Sequence, residues 1–191
     1  MKKEKSKKRK TNSLDIEQIL LRKRQLFLFE DINGKSAKTL IGDLIALDSL
    51  NNEPIILWIN SRGGTVSDGF SIIDTMEGIG SPVITVIVGE ACSMAGVISI
   101  AGDRRLMCEH AIWMSHEMSG GIEGDYTSKV LDRVGFLKKE QEKLTDFIKK
   151  HTKLTKEELM KANKGELWLY PEECKEKGII DGIVKQIKGN K

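Results

Sequence analysis

Three parts of an acyl-transfer site stand in short glycine-bearing stretches of this 191-residue chain. Ser93 lies in GEACSMAG (89–96), between the β-forming run SPVITVIV and the small-residue run GVISIAG. A serine hydroxyl attacks a carbonyl only when an adjacent base takes its proton and preplaced donors receive the oxyanion. At the first turn of a helix, Ser93 has unpaired backbone N–H groups beside it and the positive end of the helix dipole. The N–H of Met94 suits such an oxyanion. Gly63 or Gly64 in NSRGG (60–64) offers a second N–H, because glycine lets the backbone approach a substrate without a side chain in the way. A purely structural junction would instead use Ser93 as a helix cap.

For the base, the chain offers three histidines. His151 follows a lysine-rich helical stretch and is expected to be exposed, and His110 falls in a strand-to-strand connection, MCEHA. His116, in AIWMSHEMSGG, ends a strand on the same face as Ile112 and Met114, and a glycine-rich stretch follows it. A histidine ending a strand also serves as a structural hydrogen-bonder, so taken alone it leaves both roles open. Cys92 precedes Ser93, but adjacent side chains at a strand end point in different directions, and it reads as a small packed residue.

The elements that must carry these residues alternate. SLDIEQILLRKR has the spacing of a short amphipathic helix, with Leu14, Ile16, Ile19, Leu20 and Leu21 as its apolar members, and QLFLF reads as a strand. Residues 36–49 place Leu40, Ile41, Leu44, Ile45 and Leu47 on one helical face. PIILWIN (54–60) follows as an almost wholly apolar strand, which requires cover on both sides. Residues 67–79 are helical, with Phe70, Ile73, Met76 and Ile79 toward a sheet; 83–88 form a second buried strand and 93–101 a second helix. Strand, helix, strand, helix implies parallel pairing with right-handed crossovers. The loops 60–64 and 89–92 should then emerge at the carboxyl ends of neighbouring strands, where open α/β sheets bind ligands.

Composition narrows the class. One domain spanning 14–191 buries roughly 70% of its extended surface without disulfide or metal staples. Cys92, Cys108 and Cys174 form no CxxC pair or metal-ligand spacing, so they read as reduced thiols of a cytoplasmic protein. No apolar stretch approaches the ~18 residues of a membrane span, and no signal-peptide pattern opens the chain. The net charge of +3 is carried by one end: residues 1–10 hold seven basic side chains and one acidic, leaving the remainder net negative. With no aromatic residue or further basic patch extending it, that run reads as a disordered tail over 1–13, and the body is not a nucleic-acid binder.

INSRGG, GEACSMAG and HEMSGG, in that order, resemble the proteolytic subunit of the Clp protease, within the crotonase-like superfamily. LLRKRQLFL, FSIIDTM and EECKEKGIIDGI resemble that family's first helix and strand, the helix after its glycine loop, and its last helix and strand. The likeness runs from about residue 16 to residue 187. It implies a ClpP fold of parallel-sheet ββα repeats with a projecting strand-helix handle, and a serine endopeptidase working through an acyl-enzyme without metal or cofactor. It implies Ser93 as nucleophile, His116 as general base and acid, and the N–H groups of Gly64 and Met94 as oxyanion hole. The family's catalytic Asp stands two residues before an aromatic; in GELWLYPEE this puts Glu166 in its place, ahead of Trp168. A glutamate can orient a histidine as an aspartate does.

The resemblance further implies a homo-oligomer of heptameric rings, a tetradecamer when two rings stack, which takes peptides or unfolded proteins from a separate AAA+ unfoldase. The chain itself has no GxxxxGK[ST] phosphate loop. The handle would begin at SGGIEGDYTSKV and continue as a helix to about His151. On it Val130, Val134, Leu137, Leu144, Phe147 and Ile148 form an apolar stripe, which either meets another subunit or packs on its own head. Three departures stand out. Arg62 replaces the proline of the family's INSPGG loop, where it either recognises an acidic substrate or pairs with Glu90. Gly165 replaces an arginine used between rings, and the basic tail replaces an apolar axial loop. The alternatives to a peptidase are an idle ring paralogue and a crotonase-type acyl-CoA enzyme.

Overall fold

The computed structural model describes residues 16–119 and 126–185. The expected tail at 1–13 lies outside them, as do residues 120–125 of the expected handle stretch SGGIEGDYTSKV, whose last four residues already belong to a helix. Among the described residues the chain runs α1 (Ile16–Arg22), β1 (Gln25–Leu28), α2 (Gly34–Asp48), β2 (Ile55–Ser61), α3 (Val66–Gly78), β3 (Val83–Cys92) and α4 (Met94–Ser99). It continues through β4 (Arg104–Cys108), β5 (Ile112–His116), α5 (Thr127–His151), α6 (Lys156–Ala162), β6 (Glu166–Leu169), α7 (Pro171–Glu176) and β7 (Gly182–Val184). This is the α/β alternation the sequence predicts.

The sheet has the order β1-β2-β3-β4-β7, with every neighbouring pair parallel. β5 also joins β3 in parallel, and β6 pairs with β5 antiparallel. Helix α2 starts at a capping box. The Asn33 side chain accepts the N–H groups of Lys35 and Ser36, and the Ser36 hydroxyl accepts that of Asn33. Ala37, Leu40, Leu44 and Leu47, at helical spacing, are buried, whereas Ile45 lies off that stripe and is 54% exposed. In β2 the alternate residues Ile55, Leu57, Ile59 and Ser61 are buried, while Ile56 and Trp58 are only half-covered. The expected cover on both sides therefore holds for one face. The other, with the edge-to-face pair Phe27 and Phe29, stays partly open in the single chain.

Strand β3 is longer than the run VITVIV suggests. Its first half pairs with β4 and its last three residues with β5, so GEAC is strand rather than loop. Between the halves its register against β2 slips, from Ile59 opposite Ile87 to Ser61 opposite Ala91. The Asn60 side chain fills the slip, its Oδ1 accepting the Glu90 N–H at 3.1 Å. A Cβ on Gly89 would collide with that amide, which accounts for the glycine. The consequence is a strand that carries Ser93 out beside β5.

Helix α5 packs the second half of the apolar stripe on its own head. Leu144 and Ile148 are buried against the head, and Phe147 stacks edge-on against Phe70 with centroids 5.9 Å apart. Burying each such aliphatic side chain contributes about 1.5–3 kcal/mol before the entropy of ordering is counted. The first half instead leaves Leu131, Val134 and Phe136 exposed, Phe136 by 59%. The end of α5 is stapled by Arg105, whose Nη1 donates to the carbonyls of His151 and Gly178 while its other nitrogens hold Asp181. A capping box of Thr155 and Glu158 opens α6.

Candidate active site

Ser93 occupies the turn between β3 and α4 with φ 54° and ψ −128°, a conformation an L-residue adopts at a cost of about 1–3 kcal/mol. Its N–H donates to the Met114 carbonyl at 2.8 Å, and its carbonyl accepts the Val97 N–H at 3.2 Å. The side chain makes no capping bond, so the structural reading of Ser93 as a helix cap fails. A glycine would take this backbone shape without strain; the hydroxyl, not the conformation, accounts for serine here.

The facing loop is fixed by Ser61, buried at the end of β2. Its Oγ donates to the Glu30 carbonyl at 2.7 Å and accepts the Gly63 N–H at 3.1 Å. Ile32 bridges the same loop, donating to Gly63 O and accepting from Thr65 N, both at 2.8 Å. Gly63 is therefore committed, while the N–H groups of Gly64 and Met94 carry no hydrogen bond among the described residues. Gly63 has φ 102°. A Cβ there would lie 2.7 Å from Cys92 O, 2.8 Å from Ser93 Cβ and 2.9 Å from Met94 N. The loop is thus pressed backbone to backbone against the serine turn.

His116 ends β5, as the alternation predicts, and lines one cavity of about 60 Å³ together with Ser93, Met94 and Gly64. Glu166 begins β6 directly opposite His116 in the antiparallel ladder. Its carboxylate Oε2 accepts the indole N–H of Trp168 at 2.8 Å. Among the described residues Ser93, His116 and Glu166 share no hydrogen bond with one another. Catalytic hydrogen bonds are often long without substrate and tighten in its complex.

The remaining candidates separate cleanly. His110 is exposed in the β4–β5 connection, as expected. His151 is not the exposed residue its lysine-rich surroundings suggested: it is half-buried, its ring 4.1 Å from that of Phe147 and its Nδ1 2.8 Å from the Phe147 carbonyl. Burial, reinforced by the neighbouring Glu90 carboxylate, pushes the Cys92 thiol up to about 12, so it stays protonated and inert. Arg62 is 83% exposed along its side chain and pairs with Glu90 at 3.2 Å, the second of its two sequence alternatives. Among the described residues no group of three or more His, Cys, Asp or Glu is arranged to hold a metal, and no helix is long and apolar enough to cross a membrane.

Sequence reasoning passed over a polar network on the cavity wall. Gln141 of α5 accepts the Met118 N–H through Oε1 at 2.8 Å and donates from Nε2 to Asn163 Oδ1 at 3.1 Å. Asn163 in turn donates to Thr145 Oγ1 at 3.1 Å. The chain leaving β5 two residues after His116 is thereby tied to α5. A signal was present: Gln141 precedes the buried Leu144 and Ile148 by three and seven residues, on the inward stripe of a helix otherwise crowded with lysine and glutamate.

Residues 7–187 match the family model for Clp protease. A curated relative, the ATP-dependent Clp protease proteolytic subunit of Deinococcus radiodurans, is 34% identical over 182 residues, covering 94% of this chain and 89% of the relative. Matches over that extent, on a fold that sets a strained serine and a histidine around one cavity, leave one assignment: this chain belongs to the Clp protease family of serine-type endopeptidases.

Proposed function

We propose that this chain, a single domain over 14–191, is a working peptidase subunit in which Ser93 is the nucleophile and His116 the general base and acid. Ser93 Oγ attacks the peptide carbonyl carbon as its proton passes to His116. The N–H groups of Gly64 and Met94 receive the oxyanion. Collapse breaks the C–N bond, His116 returns the proton to the leaving amine, and water then attacks the acyl-enzyme by the same route. Glu166, opposite His116 in the ladder, orients the imidazole and stabilises its charged form. The observation that carries this reading is the Ser93 hydroxyl itself, uncapped on a strained turn and opening on the cavity that His116, Gly64 and Met94 line.

Two apolar surfaces support assembly with further copies: the first half of α5, with Leu131, Val134 and Phe136 exposed, and the partly open face of β1 and β2. We assign these to contacts between and within heptameric rings, two of which stack around peptide or unfolded-protein substrates delivered by an AAA+ unfoldase in the cytoplasm. A native mass of about fourteen subunits is the expected result, and a monomer under native conditions contradicts it.

Labelling by a fluorophosphonate probe tests the chemistry: the assembled protein should label, and Ser93→Ala should not. The lack of a hydrogen bond among Ser93, His116 and Glu166 in the single chain favours one rival, an idle ring subunit. No labelling of a folded, assembled sample would establish that rival instead. A crotonase-type enzyme would use the paired amides but has no role for Ser93 and His116; stabilisation by an acyl-CoA in a thermal-shift assay would support it.

A further inference from the structure

We propose that Trp168 is a positioning residue for the peptidase reaction, its indole N–H fixing the Glu166 carboxylate beside His116. The inference rests on the reading of Glu166 as the residue that orients His116. Glu166 and Trp168 are two apart on β6 and so share a face, with His116 and Met114 directly opposite them on β5. Side chains opposed in this way have Cβ atoms about 4.5–5.5 Å apart, within reach of a carboxylate and an imidazole.

A glutamate carries one torsion more than an aspartate, and an exposed one sweeps its carboxylate through a wide arc. The Trp168 Nε1–H bond to Oε2, at 2.8 Å, removes that freedom. A carboxylate has two oxygens and about four lone-pair positions, so a donor on Oε2 leaves Oε1 to accept from the imidazole. Leu167 and Leu169, on the other face of β6, are buried in the core, whereas Trp168 is 48% exposed. Its ring is not needed as core, and its one polar atom is spent on Glu166.

The test compares Trp168→Phe, Glu166→Gln, Glu166→Asp and the double variants in the assembled protein, reading the limiting rate and half-saturation of Ser93 phosphonylation by a fluorophosphonate probe. Trp168→Phe should lower the limiting rate about tenfold at unchanged half-saturation, because a loosened orienting group costs geometry rather than binding. In the Glu166→Gln background the same change should add nothing. In the Glu166→Asp background, with one torsion fewer to hold, it should cost much less than in the wild type.

Wild-type phosphonylation of Trp168→Phe, alongside impaired Glu166→Gln, overturns the positioning role and leaves Glu166 in place. Unimpaired Glu166→Gln overturns the Glu166 reading itself. An equal loss from Trp168→Phe in all three backgrounds marks a merely structural residue and also overturns the proposal. Should Trp168→Phe fail to fold, the indole N–H proton resonance of Trp168 decides: it should move on Glu166→Gln, and an unchanged resonance overturns the bond.

Discussion

Gly63→Ala is the sharpest perturbation of the proposed oxyanion hole, because Gly63 touches the serine turn without donating to the oxyanion itself. The new methyl would stand 2.7 Å from Cys92 O, 2.8 Å from Ser93 Cβ and 2.9 Å from Met94 N, none of them the end of a flexible side chain. To reach the 3.4 Å of ordinary contact the loop must retreat by about 0.5–0.7 Å. That retreat takes the neighbouring Gly64 N–H with it. Loss of one oxyanion donor costs about 10²–10³ in rate, and a misplacement approaching 1 Å about 10², so Gly63→Ala should slow fluorophosphonate phosphonylation of Ser93 about a hundredfold. Alanine at φ 102° adds about 1–3 kcal/mol of strain, which at roughly 2–4 °C per kcal/mol lowers Tm without abolishing the fold. Gly42→Ala is the control: it lies inside α2 with nothing within 4 Å of the new Cβ, and should gain about 0.5–1 kcal/mol with no change in phosphonylation. Phosphonylation of folded Gly63→Ala at the wild-type rate would refute the assignment of this loop to the oxyanion.

Two further outcomes follow from charge and burial. Because burial and Glu90 push the Cys92 thiol up to about 12, iodoacetamide at about pH 8 should leave Cys92 of the native protein unmodified, and Cys92→Ala should hydrolyse peptides like the wild type; transfer of probe labelling from Ser93 to Cys92 would contradict this. Burial of Asp181 raises its carboxyl, but the Arg105 side-chain and backbone hydrogen bonds outweigh it and hold the carboxyl below the usual range. A depressed carboxylate contributes stability that is present above its unfolded pKa of about 3.9 and is lost as pH falls through the folded value, so Tm should drop on acidification below about pH 4, and Asp181→Asn should flatten that acid limb.

The alternation of apolar runs made the parallel sheet and its order of helices legible, since burial stripes repeat with the period of each element. The junction of β3 and α4 was legible as a site because a hydroxyl stood among small residues where a buried strand ends. What escaped was long-range pairing. GEAC continues as strand only because β5 arrives beside it, and Asn60 fills the register slip against β2; neither partner is near in sequence. His151 appeared exposed among lysines because its cover, Phe147, lies one turn back on the same helix while Phe70 braces that ring from α3. The Gln141 network failed to register for the same reason, its acceptor and donor groups being supplied by Met118 and Asn163.

The strain at Ser93 persists because the turn is determined from several sides at once. Met114 holds its N–H, Val97 its carbonyl, and the Gly63 backbone is packed against its Cβ. One turn further on, the indole of the fully buried Trp113 donates to Gly96 O at 3.2 Å, and a Cβ on Gly96 would approach that ring nitrogen to 3.0 Å. β5 therefore fixes the α4 turn through Trp113 and Met114 and carries His116 at its own end, so Ser93 and His116 share a single support. Two-residue alternation does the sorting, since Trp113 and Met114 face opposite sides of β5 and His116 repeats the side of Met114. A strained residue costs about 1–3 kcal/mol, and here the surrounding contacts that offset it are the same ones that set the direction of the hydroxyl.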